Sequence, residues 1–443
     1  MTSVPRSVPA LTSNWATVLL QIYGIVLCTY ALPFVRLGAG STDSLPLPAL
    51  LLPILLIGGI AMLSAGRSIP HISKLLFPIL IVFTVSLLIA SGFAGIPDSS
   101  RLLKQIVNFT TPLVIVLLLR RDEQIGRVWL AYVAAAVLLC VYGYYGFFTG
   151  RIGTEGASFW WIQGIARYWG IHYTTSTRNS DTYFIAAAFW VLRARLGIGF
   201  KSWRLKLGAE LCLAGLLGAL LLSFSRSAWL SLAVTALVDV FVGSRLRRSR
   251  LRRNEQRVRR HLLSTILIAL AVISVLRAMN LDTYAIGKVV SIFSPAAASN
   301  FIQEKVSNSD RVKIILTTFK IFLRRPLGVG AGGAGPWYHE YGLGALEPEN
   351  DYLLGLLEAG IGGFLAVVAL WVIPFLRLWH RLMDNNLPWS ARGALLLTTY
   401  FCVQNMFNPS SYNMLIWFIL GMVWASAGLT DAIVTGRGDG DVA

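Results

Sequence analysis

The sequence predicts an all-α membrane protein that crosses the bilayer many times. Of its 443 residues, 55% are hydrophobic and only 14% are charged, whereas soluble globular proteins are about 45–50% apolar and about 25% charged. Long apolar blocks also recur along the whole chain, and about 20 apolar residues in a helix cross the ~30 Å hydrocarbon core. A soluble enzyme, a disordered chain and a disulfide-stapled chain are therefore excluded.

Twelve membrane-spanning helices are predicted from these blocks, with polar or charged residues between them. The predicted spans cover residues 15–35, 46–66, 73–95, 103–119, 128–149, 181–199, 206–224, 227–243, 262–280, 352–376, 393–408 and 413–430. The first nine spans make up residues 1–280, and the last three lie in 351–430. Between these two groups, the long segment 281–350 is predicted to be a periplasmic subdomain, and residues 431–443 form a cytoplasmic tail.

The distribution of basic residues predicts the orientation. With the N-terminus in the cytoplasm, 24 of the 39 Lys and Arg residues lie on the inner side, nine of them arginines between Arg245 and Arg260. Cytoplasmic loops carry an excess of Lys and Arg, so both termini are expected in the cytoplasm. The net charge of +18 would also suit nucleic acid, but the arginine run lies between two spans and contains no aromatic residue. We interpret it as a loop that binds membrane lipids, and expect no nucleic-acid partner.

Cysteine and carboxylate patterns give no sign of a metal site. The four cysteines lie inside apolar blocks without the spacing of metal ligands, at Cys28, Cys140, Cys212 and Cys402. The one Asp-x-Asp sequence, Asp439–Asp441, is in the predicted cytoplasmic tail. We therefore expect neither a metal ion nor a cofactor.

Two arginines at predicted span ends are candidate anion-binding residues. Arg226 lies at the turn between two spans, beside Ser223, Ser225 and Ser227, and a guanidinium at the membrane edge can bind phosphate. The alternative is an arginine that only anchors a tight turn. Arg178 precedes the sixth span among residues that cap helices, and an arginine at a helix start makes an anion site. The alternative there is a capping loop with an incidental charge.

An amphipathic helix is predicted at 310–326, lying flat on the outer leaflet or on the spans. Its polar arc contains Lys313, Thr317, Lys320 and Arg324. Its apolar arc contains Val312, Ile315, Leu316, Phe319, Phe322 and Leu323. Arg311 falls in the middle of the apolar arc, where a buried arginine must be paired or must bind an anion. The alternative is that Arg311, in the first turn, bends back to solvent.

A glycine-rich segment and two candidate bases follow this helix. The fragment GVGAGG resembles a dinucleotide fingerprint only superficially, because no strand precedes it, and we interpret it as a loop that folds close over a site. His339 and Glu349 are candidate general bases that can deprotonate a hydroxyl nucleophile. The alternatives are an ordinary surface histidine and a glutamate that complements the dipole of the tenth span.

The segments PLGVG (326–330) and ENDYLLGLLEAGIGG (349–363) resemble the core of the O-antigen ligase and polymerase superfamily. The ligase signature is His-(Asn/Ser/Gln)-x9-Gly-x-x-Gly, and Asn350, Gly360 and Gly363 fit its spacing. Glu349 stands where that signature has histidine. The segment SFSRSAWL around Arg226 resembles the family's Ser-Arg turn, and Arg311 stands where the family often has an arginine before the Pro-Leu-Gly-Val-Gly loop.

This resemblance implies a metal-independent glycosyltransferase of the GT-C-like class in the bacterial inner membrane. An O-antigen ligase moves polysaccharide from undecaprenyl pyrophosphate to a sugar hydroxyl of the lipid A–core at the periplasmic face. Arg178, Arg226 and Arg311 would bind the pyrophosphate, and Glu349 would act as the base, supported or replaced by His339. Three alternatives remain open: a polymerase, a protein O-oligosaccharyltransferase of the same superfamily, and a transporter of lipid-linked sugars.

Overall fold

The computed structural model describes most of the chain, with gaps. The described residues are 11–29, 71–95, 98–119, 121–149, 159–162, 165–168, 178–200, 202–223, 225–248, 308–343, 348, 350–383, 387–407 and 414–435, with single positions at 54, 57, 274 and 277. The predicted spans 46–66 and 262–280 therefore lie outside the described residues, apart from those single positions. The other ten predicted spans each overlap a described helix.

The described part of the chain contains twelve helices and one hairpin. In chain order the helices are α1 (Leu11–Thr29), α2 (His71–Ala94), α3 (Ser99–Leu118), α4 (Asp122–Thr149), α5 (Arg178–Ile198), α6 (Trp203–Leu222), α7 (Arg226–Arg248), α8 (Asn308–Arg324), α9 (Ala334–Glu340), α10 (Asp351–Met383), α11 (Trp389–Gln404) and α12 (Met414–Thr435). The hairpin pairs β1 (Phe159–Ile162) with β2 (Ile165–Tyr168) in antiparallel register, Phe159 opposite Tyr168.

The fold class predicted from the sequence, an all-α polytopic membrane protein, is confirmed. Six described helices, α2, α3, α4, α6, α7 and α10, are long and apolar enough to cross a membrane. Several of them turn large apolar side chains outward, such as Phe77, Leu138, Leu211 and Leu237. Lipid tails are the natural neighbours of such faces, so their exposure is the ordinary surface of a membrane protein.

Helices α5 and α11 form the centre of the bundle. Helix α11 packs against α5, α7, α10 and α12, and its residues 394–401 are all buried. Phe401 stacks on Trp371 of α10 and on Tyr183 of α5, with ring centroids 5.1 Å apart in both pairs. A helix that is buried all round belongs to the core of a large bundle, and α11 is therefore positioned to join the ends of its neighbours.

Helix α10 is broken, which corrects the prediction of one continuous tenth span at 352–376. Ala359 (φ −122°, ψ 15°) and Gly360 (φ 64°, ψ −159°) are non-helical, and they separate a first segment, 351–358, from a second, 361–383. Glycine is required at 360 because L side chains rarely adopt a positive φ. A Cβ atom there would also lie 2.5 Å from the carbonyl oxygen of Pro326.

The bundle has two ends of different chemistry. We call one the Arg226 end: there α2, α6 and α11 finish, and α3, α5, α7 and α10 begin. We call the other the Asp239 end, where the Asp239 carboxylate of α7 accepts hydrogen bonds from Arg193 of α5 (3.1 Å) and Arg392 of α11 (2.5 Å). At the Asp239 end Ser390 also donates a hydrogen bond to Asp122. The candidate site residues that the structure describes belong to the Arg226 end or to the segments attached to it.

Candidate functional site

Arg226 is the first residue of α7 and is half-buried at the turn that joins α6 to α7. Ser223 Oγ donates to the Leu220 carbonyl (2.7 Å) and accepts from Ser225 N (3.3 Å). Ser225 Oγ accepts from Ala228 N (3.4 Å), which caps the start of α7. These two hydroxyls therefore build the turn that holds Arg226.

Gln404, at the C-terminal end of α11, joins the starts of two other helices. Its side chain is fully buried, and its Nε2 donates to Thr182 Oγ1 of α5 and to Ser227 Oγ of α7, both at 3.3 Å. Its Oε1 accepts from Ser231 Oγ of α7 (3.1 Å). Thr182 lies about one helical turn after Arg178. This network therefore brings the helix starts that carry Arg178 and Arg226 to the same place.

The start of α10 is fixed to the chain just after Gln404. Asn350 caps α10: its Oδ1 accepts from Leu353 N (3.0 Å), and its Nδ2 donates to the Met406 carbonyl (3.0 Å). Asp351 N donates to the Asn405 carbonyl (3.0 Å), and Tyr183 OH donates to Asn405 Oδ1 (3.1 Å). The position that precedes Asn350 in the chain is Glu349.

Three helix starts therefore meet at the end of α11, namely those of α5, α7 and α10. Each start carries a positive partial charge from its backbone N–H groups, and the combination of a helix start with an arginine favours anions. Glu349 lies outside the described residues. Arg178 and Arg311 occupy the first turns of α5 and α8, and their side chains also lie outside what the structure describes.

His339 lies in the short helix α9 and is exposed. Helix α9 is attached to α8 through a hydrogen bond between the hydroxyls of Tyr338 and Thr318. Burial raises the pKa of Tyr338 to about 12, so this phenol stays neutral and serves packing. Among the described residues no contact joins His339 to Arg226, Gln404 or Asn350, and its role as a base stays a prediction.

The amphipathic helix exists as α8, but its predicted apolar arc is not the face that packs on the rest of the described protein. The residues buried against the rest of the protein are Ile314, Thr317, Thr318 and Ile321. The predicted apolar arc is instead largely exposed, at Val312, Ile315, Leu316, Phe319 and Leu323. The reason is physical: an apolar face can turn to lipid, and threonines can turn inward when their hydroxyls find partners, as Thr318 does with Tyr338 and with the Ile314 carbonyl (2.8 Å).

The glycine-rich loop is held in place by hydrogen bonds that its backbone N–H groups donate. All six consecutive N–H groups from Gly328 to Gly333 donate inside the protein. Their acceptors, in order, are Arg325 O (2.9 Å), Leu357 O (2.8 Å), Glu358 O (3.0 Å), Ser91 Oγ (3.1 Å), Glu358 Oε1 (2.9 Å) and Gly330 O (3.1 Å). A phosphate cradle needs backbone N–H groups that point at the ligand. This loop offers none, so the similarity of GVGAGG to a dinucleotide fingerprint has no functional meaning here.

Glu358 is a buried carboxylate to which the sequence analysis gave no role. It is 2% exposed at the break of α10, and it accepts from Gly332 N (2.9 Å) and from Gln105 Nε2 of α3 (3.1 Å). It therefore fastens the glycine-rich loop to the first segment of α10. An acid inside an apolar span is costly and marks a specific role, so its position in LLGLLEAGIGG was the signal that could have identified it.

The described residues contain no cluster of three or more His, Cys, Asp or Glu side chains that could hold a metal ion.

Part of the chain matches a known protein family. No match to the chain was found among curated proteins. Residues 211–368 match the family model described as O-antigen ligase. The matched region includes Arg226, the glycine-rich loop, and the first segment of α10 with Gly360 and Gly363. The resemblance seen in the sequence is thereby confirmed for residues 211–368, which match the O-antigen ligase family.

Proposed function

We propose that this protein is an O-antigen ligase that moves polysaccharide from undecaprenyl pyrophosphate to a sugar hydroxyl of the lipid A–core. The observation that carries the proposal is the Gln404 network, which brings the start of α7 with Arg226 to the starts of α5 and α10. A pyrophosphate leaving group needs positive charge at one point, and this meeting of helix starts supplies it. The family of residues 211–368 supports the same reaction class.

The orientation follows from the charge distribution. The excess of Lys and Arg in alternate loops favours cytoplasmic termini, which makes the Asp239 end cytoplasmic and the Arg226 end periplasmic. The active site then faces the periplasm, as part of a GT-C-like inner-membrane enzyme. The segment 281–350 is its periplasmic subdomain, and α8 and α9 lie beside the site. Membrane lipids surround the spans.

The proposed reaction is one displacement at the anomeric carbon of the donor. The acceptor hydroxyl loses its proton to Glu349, and its oxygen forms a bond to the anomeric carbon. The bond from that carbon to the phosphate oxygen breaks, and undecaprenyl pyrophosphate leaves with the electron pair. Arg178, Arg226 and Arg311 stabilise the negative charge of the leaving group, so the step does not require a metal ion.

Glu349 is the preferred base over His339 because of its neighbour in the chain. Asn350, the next residue in the chain, is fixed by hydrogen bonds to Met406 and Leu353 near the point where the three helix starts meet. His339 is exposed on α9, where it can support Glu349 or replace it. A carboxylate at this position is suited to accept a proton from a sugar hydroxyl.

The test is a transfer assay with purified protein, carrier-linked glycan and lipid A–core, with and without EDTA. The expected product is a lipid A–glycan adduct in both conditions. Longer carrier-linked chains without an adduct would identify a polymerase, and a glycosylated protein acceptor would identify an oligosaccharyltransferase. Movement of the lipid-linked sugar without a new bond would favour a transporter.

Variants test the assigned residues in the same assay. Arg226→Ala should lower the transfer rate about 100- to 1,000-fold, as loss of one preorganised charge does. The matched control is Arg377→Ala, which removes an arginine from the second segment of α10 and should leave transfer unchanged. Glu349→Gln should abolish transfer and His339→Ala should reduce it less. If both variants retain transfer, the base is another group.

A further inference from the structure

A cleft lies between the end of α2, the glycine-rich loop and α9. Its volume is about 290 Å³, and its walls include Phe93, Arg325, Val329, Pro336 and Trp337. This size is close to the lower limit of small-molecule sites, about 300 Å³, and suits one sugar ring better than a chain of them.

The lining of the cleft combines the aromatic rings of Phe93 and Trp337 with one guanidinium, that of Arg325. The Cζ atom of Arg325 lies 5.5 Å from the centroid of the Trp337 ring, which is a cation–π distance. Arg325 is exposed and Trp337 is half-buried. The backbone N–H groups of Gly328, Val329 and Gly333 are already used inside the loop. The charged group that the cleft offers to a ligand is therefore the guanidinium of Arg325.

This chemistry suits a sugar that carries a negative charge. The C–H face of a pyranose ring packs on an aromatic ring, as apolar surfaces do, and a guanidinium binds a carboxylate or a phosphate through two parallel hydrogen bonds. A neutral sugar would pack on the aromatic ring and make no ion pair with the guanidinium. A free phosphate would bind the guanidinium and make no contact with the aromatic ring.

We propose that the cleft is a subsite for one acidic sugar residue of the acceptor glycan, with Trp337 under the ring and Arg325 on its carboxylate or phosphate. The assignment to the acceptor rests on the proposed function. The pyrophosphate of the donor belongs at the start of α10, beside Asn350. The cleft borders the other end of the first segment, where Val329 N bonds Leu357 O, about 10 Å along the helix. The two substrates thus meet the first segment at opposite ends.

Binding is tested without the transfer reaction, by saturation-transfer NMR on the purified full chain in detergent. The probes are glucuronate, glucose and inorganic phosphate. Glucuronate should bind more tightly than glucose or phosphate. Arg325→Gln should weaken glucuronate binding about tenfold, the effect of losing one charged hydrogen bond, with glucose unchanged. Trp337→Ala should weaken both sugars.

Arg324→Gln is the matched control for these variants. Arg324 is exposed, adjacent in the chain, and stacks on Tyr341 at 5.4 Å, but it is not among the residues that line the cleft. Its removal should leave glucuronate binding unchanged. Equal glucuronate binding by wild type and Arg325→Gln would overturn the proposal, as would inorganic phosphate that competes as strongly as the acidic sugar. Melting temperatures identify any variant that fails to fold.

The transfer assay separates this proposal from the proposed function. Arg325→Gln should raise the KM for an acidic acceptor about tenfold and leave kcat, the donor KM and the KM for a neutral acceptor unchanged. If the wild type binds glucuronate in an Arg325-dependent way but forms no glycosidic product, the transferase function fails and the sugar subsite stands. If transfer proceeds with an unchanged acceptor KM, the subsite is wrong and the transferase function stands.

Discussion

The two ends of the helix bundle are joined by opposite kinds of interaction. At the Asp239 end, a carboxylate that is 6% exposed pairs with Arg193 and Arg392. At the Arg226 end, α5, α7 and α11 are linked by neutral groups, with Gln404 at the centre. An ion pair of this kind holds helices only while both partners remain. The neutral hydrogen bonds at the Arg226 end fix the starts of α5 and α7 on the end of α11.

The comparison predicts that substitutions at the two ends of the bundle affect different properties of the protein. Substitutions at the Asp239 end should lower stability and leave the transfer rate per folded molecule unchanged. Substitutions at the Arg226 end should lower transfer more than stability.

Asp239→Ala should have the largest effect on stability. It leaves two partly buried arginines without their carboxylate, and breaking such a pair costs about 3–5 kcal/mol. Thermal unfolding in detergent, with transfer measured on the folded fraction, checks this. The control is Glu210→Ala, which breaks the exposed Lys206–Glu210 pair and should have almost no effect. An unchanged melting temperature for Asp239→Ala would show that the pairing of Asp239 with Arg193 and Arg392 does not stabilise the bundle.

Gly360→Ala should have the next largest effect. It forces an alanine into a positive φ, which costs about 1–3 kcal/mol, and its Cβ would displace the chain at Pro326. Because the glycine-rich loop begins there, transfer should fall more than stability. Gly208→Ala in α6 is the control, since a Cβ at that position meets no atom within 4 Å. Normal transfer in Gly360→Ala would mean that the break of α10 is not needed for activity.

Asn350→Ala should have the smallest effect on stability, about 1 kcal/mol, the usual loss for an N-cap. Asn350→Asp keeps an oxygen that accepts from Leu353 N but cannot donate to the Met406 carbonyl. This variant therefore separates the capping of α10 from the anchor to Met406. Ser202→Ala is the control, because Ser202 stands at the N-cap of α6 without a side-chain capping bond. If Asn350→Asp transfers as well as wild type, the anchor to Met406 is dispensable.

Hydropathy was sufficient to find most of the helices, because long apolar runs have few other stable forms in a membrane. It could not reveal the break in α10. The run from 351 to 383 stays apolar through Gly360, and the partners of the broken carbonyls, Val329 and Gly330, lie nearly thirty residues earlier. A contact between distant segments leaves no periodic signal.

The candidate site was only partly predictable for a related reason. Arg226 could be predicted because it is a charged residue at the end of a span, and Asn350 because it fits the spacing of a motif. Both features depend only on nearby sequence. Gln404 and Glu358 act through partners on other helices. Each is a single polar residue in an apolar run, and its role can be assigned only when those partners are known. The sequence left open which surface the apolar arc of α8 faces, because periodicity shows which residues are apolar and does not show whether lipid or protein covers them.

The position of Asp239 in the chain also bears on how the molecule is made. Asp239 follows Arg193 by 46 residues and precedes Arg392 by 153. During synthesis, α7 carries an acid into the bilayer when one of its two partners has already been inserted and the other has not yet been translated. Since an isolated carboxylate in a span is costly, the pairing with Arg193 protects the half-made protein. Arg392 joins this pair only when α11 is inserted, as one of the last helices of the described chain.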